Sequence, residues 1–269
     1  MAAAEPTFDH ARIHVEVLGH ESAVEFDVRI GPCTLRDLLP TARQITEQIV
    51  AIAIEHARAQ GKTVSCRTGC GACCRQLVPI SPVEAQSLAE LVAVMPAQRR
   101  TQIQRRFAKA VHTLERAGLL DARMAEGRCA LLSSAKQGAS AWEDVSRRYF
   151  ALQIACPFLE QESCSIYPER PLVCREYNAV TPAEWCNELG ARVQTTERPA
   201  RMSEVLGRAA NAIAGTSFPG IPLTLSLEWS EVHGRALEGT RDGEQMFWSL
   251  LDHLEAGERA RAAGPVPHR

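Results

Sequence analysis

Between Arg12 and Ile30 apolar and polar residues largely alternate. In His14-Val15-Glu16-Val17-Leu18 and Val24-Glu25-Phe26-Asp27-Val28 the apolar positions recur mostly every second residue. This pattern predicts a β hairpin turning at Gly19–Ser22. Beyond Thr34 the period lengthens. Leu38, Ala42, Ile45, Ile49 and Ile52 recur at three- and four-residue steps, predicting a helix capped by Thr34, kinked or broken at Pro40 and stopped at Gly61. Ser81-Pro82-Val83-Glu84 combines a capping Ser, a Pro at the first helical position and a Glu three residues after the cap. It predicts a helix running to Met95-Pro96.

A further helix is expected over about 97–117, with Ile103, Phe107, Val111 and Leu114 on one face. Arg99, Arg100, Arg105, Arg106 and Lys109 on its other face read as solvated charge. Residues 138–153 are also expected to be helical. Thr181-Pro182-Ala183-Glu184 repeats the capping pattern and predicts a short helix carrying Cys186. Met246, Phe247, Leu250, Leu251 and Leu254 stripe a last helix, and the tail after Gly264 is expected to fray. The expected fold is therefore mainly α with a small N-terminal β hairpin, and with cysteine-rich metal-binding loops between helices. Its segments are 1–61 (hairpin and helix), 62–190 (cysteine cluster) and 191–269 (helical extension), expected to form one compact unit.

Composition narrows the function. A net charge of −2 and a pI near 6.5 lack the basic footprint of a nucleic-acid binder. The most apolar stretch, Ile45 to Ala57, is too short to span a bilayer and contains Glu47, Gln48 and Glu55. The first ten residues have neither the positive nor the apolar region of a secretion signal, so a cytoplasmic location is expected. In a reducing compartment, clustered cysteines point to metal rather than to disulfides. The expected partner is a metal ion, with no nucleic acid and no membrane. The sequence names no protein partner.

Eight of the ten cysteines fall in two windows: Cys66, Cys70, Cys73 and Cys74, then Cys156, Cys164, Cys174 and Cys186. Thiolate is a soft anionic donor that suits zinc and iron. Ligands two to four residues apart let a tight loop wrap one ion, and Gly69 and Gly71 supply the positive φ and close backbone approach such loops need. Scattered buried thiols are the alternative, and the density of cysteines counts against it. Cys33 and Cys129, outside both windows, read as buried thiols. Adjacent side chains diverge, so either Cys73 and Cys74 serve different ions or one is a packed thiol. Arg67, Arg75, Arg170 and Arg175 are placed to offset thiolate charge. Tyr167 and Tyr177 bracket Cys174, either packing over the site or donating to sulfur, and Arg170-Pro171 is expected to set the turn that presents Cys174.

These motifs together resemble the YkgJ-type cysteine-cluster family. The match lies in Cys66-x3-Cys70-x2-Cys73-Cys74, Ile80-Ser81-Pro82-x-Glu84, Cys156-Pro-Phe-Leu, Cys164-x-Ile-Tyr-x-x-Arg-Pro and Cys174-Arg, over about 62–190. The resemblance implies a zinc- or iron-chelating domain with eight metal-binding cysteines. Seven match in place, and Cys186 is the eighth by less diagnostic spacing. Zinc, iron and an iron–sulfur cluster all stay open as the cofactor.

Relatives with this arrangement include a protein lysine methylase of iron–sulfur type, so the resemblance also implies that activity as an alternative. Cys66-x3-Cys70-x2-Cys73 has the spacing of the radical S-adenosylmethionine cluster loop, a second alternative that expects a β/α barrel. A non-catalytic interaction module stapled by zinc is a third. The histidines are dispersed and form no HExxH pair, and no nucleophile elbow or P-loop is present.

Overall fold

The computed structural model describes residues 7–120, 128, 131, 139–188, 190–217 and 220–262. Cys129 and the tail after Gly264 lie outside the described residues. Strands β1 (Thr7–Val17) and β2 (His20–Ile30) form an antiparallel hairpin in continuous register from Thr7↔Ile30 to Val17↔His20. The turn is two residues, not Gly19–Ser22. Leu18 and Gly19 both take positive φ (53° and 78°), the geometry that matches a two-residue turn to strand twist. Val24, Phe26 and Val28 face inward, and the Phe26 ring lies 5.1 Å from that of Phe247. The outer edge of β2 does not meet water bare. The Glu25 and Asp27 amides donate to the Gln48 and Gln44 side chains at 2.9 and 2.8 Å.

Eight α-helices occur among the described residues: α1 (Leu38–Ala59), α2 (Pro82–Ala93), α3 (Ala97–Arg116), α4 (Ala139–Ala151), α5 (Leu172–Glu176), α6 (Met202–Ala214), α7 (Ser226–His233) and α8 (Gly243–Ala262). Six two-residue strands tie loops together: β3 (Pro32–Cys33) pairs with β8 (Arg241–Asp242), β4 (Pro79–Ile80) with β7 (Ile221–Pro222) and β5 (Leu159–Glu160) with β6 (Ser163–Cys164). The fold is mainly α with the expected small hairpin, and the cysteines lie between helices.

At the start of α1, the Thr34 amide and hydroxyl donate to the Asp37 carboxylate at 2.8 and 2.9 Å, closing a 3₁₀ turn. Pro40 does not break the helix. It occupies the first turn of α1, where an N–H would have no intrahelical acceptor. Gly61 takes φ +76° just past the last turn, as expected of a stop. Ile52 is only half-buried; Ala53 and Ala57 continue the inward stripe. A continuous apolar core runs from the hairpin through α1 and α2 to Trp229 of α7 and Leu250 of α8. Among the described residues no helix is long and apolar enough to cross a membrane.

The capping box of α2 forms as expected, but its carboxylate reaches further than the sequence pattern says. Glu84, 2% exposed, accepts from the Ser81 amide (2.9 Å) and hydroxyl (2.8 Å) through Oε2. Its Oε1 accepts from the Leu172 amide at 2.6 Å. One buried carboxyl thus joins the first turns of α2 and α5. Truncating it strands a buried amide, so Glu84→Ala should cost about 2 to 3 kcal/mol in urea unfolding. Burial outweighs the bonds from Ser81 and Leu172 and holds the Glu84 carboxyl above the usual carboxylate range. A raised folded pKa gives stability that is full below the unfolded pKa and is lost as pH rises through the folded one. The stability of the native chain relative to Glu84→Gln should therefore fall as pH rises out of the ordinary carboxylate range toward neutrality and above. A difference constant across that range would refute this.

Candidate metal centre

The first cysteine run leaves α1 through a stretch anchored to the far end of the second. Ser65 donates from its amide to Ala179 O (2.9 Å) and from its hydroxyl to Thr181 O (2.6 Å). The Ala179 amide donates to Cys66 Sγ at 3.2 Å. Tight turns follow, with Cys70 N–H to Arg67 O and Cys74 N–H to Gly71 O, both at 3.0 Å. Gly69 takes φ +80°, the positive φ expected of it.

The second run opens by touching the first: the Cys156 amide donates to Cys74 O at 2.7 Å. The β5–β6 hairpin then turns through Gln161 and Glu162, both at positive φ (50° and 55°). Gly71 packs against this turn so closely that a Cβ on it would stand 2.5 Å from the Glu162 carbonyl oxygen and from a Leu159 methyl. Arg75 closes the contact with a two-pronged pair to Glu162 at 2.7 and 2.9 Å.

Cys174 rides on α5. Arg170 is held extended before Pro171, and the Cys174 amide donates back to Pro171 O at 3.0 Å, the turn expected of this dipeptide. Cys186 sits in a 3₁₀ turn, Ala183–Asn187, and its carbonyl accepts from Gln76 Nε2 at 2.9 Å. The capping box expected at Thr181 does not form. Pro182 occupies the cap position, and the Thr181 hydroxyl oxygen accepts from the Gln194 amide instead.

Cys73 is the hub. It is hydrogen-bonded to Cys74, and a charge on its sulfur would push up the thiols of Cys66, Cys156, Cys164, Cys174 and Cys186. Cys70 interacts with Cys66 and Cys186, and Cys156 with Cys164 and Cys174. The thiols fall into two trios, Cys66/Cys70/Cys186 and Cys156/Cys164/Cys174, with the Cys73–Cys74 pair between them. Burial pushes the Cys156 thiol up to about 12 and Cys186 to about 11, and it pushes Cys66, Cys164 and Cys174 upward too. For Cys73 the bond to Cys74 adds to burial in the same direction.

Neighbouring thiolates reinforce each upward shift, so this many buried sulfurs can ionise together only beside positive charge. That donor set suits zinc or iron. Among the described residues no three His, Cys, Asp or Glu side chains stand as a ready metal cage; the sulfurs are gathered without being closed on one point.

The flanking cations divide their work. Arg170 stacks 3.8 Å above the Tyr167 ring and lends positive charge to Cys66, Cys73 and Cys164. Arg75 is near Cys74 but spends its bonds on Glu162. Arg175 turns away to Glu47 and to the carbonyls of Arg170 and Pro168. Arg67 is exposed. Tyr177 does more than pack, since its hydroxyl is hydrogen-bonded to Cys186 and to Gln76. Cys33 is buried among Arg29, Asp37 and Asp242 and, among the described residues, meets no other thiol. The nine described cysteines are all free.

Sequence reasoning missed two supports. Arg99 and Arg106 are not simply solvated. Arg99 donates to Ser165 O (3.2 Å), and Arg106 to Pro157 O (3.1 Å) and Glu160 (3.2 Å), so α3 grips the second cysteine segment. Their seven-residue spacing, flanking Ile103 and Phe107, was the available signal. All strand pairs among the described residues are antiparallel and two-stranded, so the Cys66–Cys73 triplet is not set on a β/α barrel.

Residues 65–195 match the CxxCxxCC family model, described as a "putative zinc- or iron-chelating domain". No curated protein and no solved structure matches the chain. The Gly71 contact yields a direct test of how the two runs meet. Gly71→Ala should force them apart and cut metal content at least about twofold by elemental analysis, while Gly234→Ala, whose added Cβ meets nothing and whose backbone suits any residue, should leave it intact. Equal metal in both variants would show that the close approach is dispensable.

Proposed function

We propose that Cys66, Cys70, Cys73, Cys74, Cys156, Cys164, Cys174 and Cys186 hold zinc or iron in two sites, a reading supported by the match of residues 65–195 to a zinc- or iron-chelating family model. Each trio supplies three thiolates, and the Cys73–Cys74 pair supplies the fourth to each. The observation that carries this reading is that the two cysteine runs meet backbone to backbone, at the Cys156–Cys74 hydrogen bond and the Gly71–Glu162 contact. Two fourfold sulfur sets match the tetrahedral coordination of structural zinc or of a single iron. On loading, the gathered sulfurs turn inward onto the ion while the loops keep their course. Arg170 and the Tyr177 hydroxyl temper the charge of the loaded sulfurs. An iron–sulfur cluster is the finer alternative for the same donors, and a lysine-methylase activity would require one.

Anaerobic purification with elemental analysis and a visible spectrum tests the proposal. About two ions per chain are expected. A colourless protein with zinc supports closed structural sites, whereas a broad visible band with inorganic sulfide would assign a cluster. Cys70→Ser and Cys174→Ser should each remove about one ion, and Cys33→Ser none. Full metal in both loop variants would refute the assignment. Each thiol must lose its proton to bind as thiolate, so metal retention against a chelator should fall steadily as pH drops.

A further inference from the structure

A cleft crosses the outside of the cysteine cluster, and its chemistry is not that of a metal site. One part, of about 660 Å³, lies between the start of α2 and the first turns of α6. A second part, of about 580 Å³, continues between α4 and the segment from Trp185 to Val193. Gln76, Leu77, Ser146 and Tyr177 line both parts, so the two are continuous. Each is in the size range of small-molecule sites.

We propose that this cleft binds a small organic oxyanion, a carboxylate or phosphate carried on a flat ring. The charge argument comes first. Arg198, Arg201 and Arg208 line the first part, and Arg147 and Arg192 the second, against Glu176, Glu204 and Glu188. Two of the three acids are already engaged. Glu176 accepts from the Ser203 amide and hydroxyl at 2.8 and 2.7 Å. Glu204 faces Arg201 at 2.8 Å and Arg208 at 3.7 Å. Arg198 stands close enough to Glu176 to favour its charged form, and among the described residues neither Arg147 nor Arg192, both exposed, pairs with an acid. Five guanidinium groups against three carboxylates leave the cleft with an excess of positive charge, which attracts and orients a planar oxyanion better than any neutral group.

The ring argument is separate. Trp185 is 39% exposed where it lines the second part, beside Phe150 and Tyr177. An exposed indole over a recess is a stacking platform, and a ring set there leaves its oxyanion facing the arginines.

The cleft also abuts the cysteine cluster. Trp185 precedes Cys186 in the same 3₁₀ turn, the Tyr177 hydroxyl is bonded to Cys186, and Gln76 holds the Cys186 carbonyl. The occupant would rest on the side chains that position Cys186. Binding itself needs only the cleft, so the inference stands apart from the two-site metal assignment.

The test is titration calorimetry on the full chain as purified, with metal measured in the same sample. Phenyl phosphate and benzoate are the probes; benzamide and inorganic phosphate are the controls lacking the charge or the ring. One-to-one binding of at least one probe, about tenfold tighter than either control, is expected. Arg198→Glu and Arg192→Glu should each weaken it about tenfold at unchanged metal content, and the lysine variants should largely restore it. Should Arg198→Glu also lose metal, the Arg192→Glu result decides. Probes that bind no tighter than benzamide, or binding that survives charge reversal, would overturn the proposal whatever the metal content.

Discussion

Everything about the cysteine centre depends on a contact with no room for a side chain. Gly71 lies directly on the Glu162 carbonyl, and the Cys156 amide reaches the Cys74 carbonyl beside it. Backbone meets backbone here, so the two runs are held closer in register than contacts between long side chains would hold them. The other supports serve that contact. Arg75 clamps its rim, Arg99 and Arg106 pin the β5–β6 segment to α3, and Glu84 sets α5, with Cys174, against α2.

The electrostatic problem is the reverse of the usual core problem. An apolar core gathers groups that do not repel, whereas this one gathers sulfurs that do once ionised. Neutral thiols tolerate the crowding, and free cysteine packs as a small hydrophobe. Charged ones require compensation, and Arg170 offers a single positive charge to three of them. This mismatch between donors and counter-charge is the physical reason that a cation suits the site.

Much of this was legible in the chain. Period-two alternation placed the hairpin, apolar stripes placed α1, α3 and α8, and Ser81-Pro82-Val83-Glu84 placed the start of α2, because each signal is local. The failures were also physical. The Leu18–Gly19 turn and the Gln161–Glu162 turn lack the Asn-Gly or Asp-Gly signature, so the first was read too wide and the second hairpin was not foreseen. The pattern at Thr181 matched a capping box, yet a competing amide, Gln194, took its hydroxyl oxygen. The arginines of α3 read as solvated because sequence cannot show which carbonyls lie opposite. The cysteine spacing announced two loops, but their mutual register, the two trios and the hub at Cys73 exist only in three dimensions.

Arg75 and Glu162, which meet across the two runs, are 87 positions apart. Joining ends so distant carries a large loop-closure entropy, and non-local contacts form late in folding. Three helices, α2, α3 and α4, lie between the two runs, so their packing sets how the thiols meet. In a classical zinc finger the ion nucleates a chain that is unfolded without it. Here helices stand between the two runs, and their packing shares with any bound ion the work of bringing the sulfurs together.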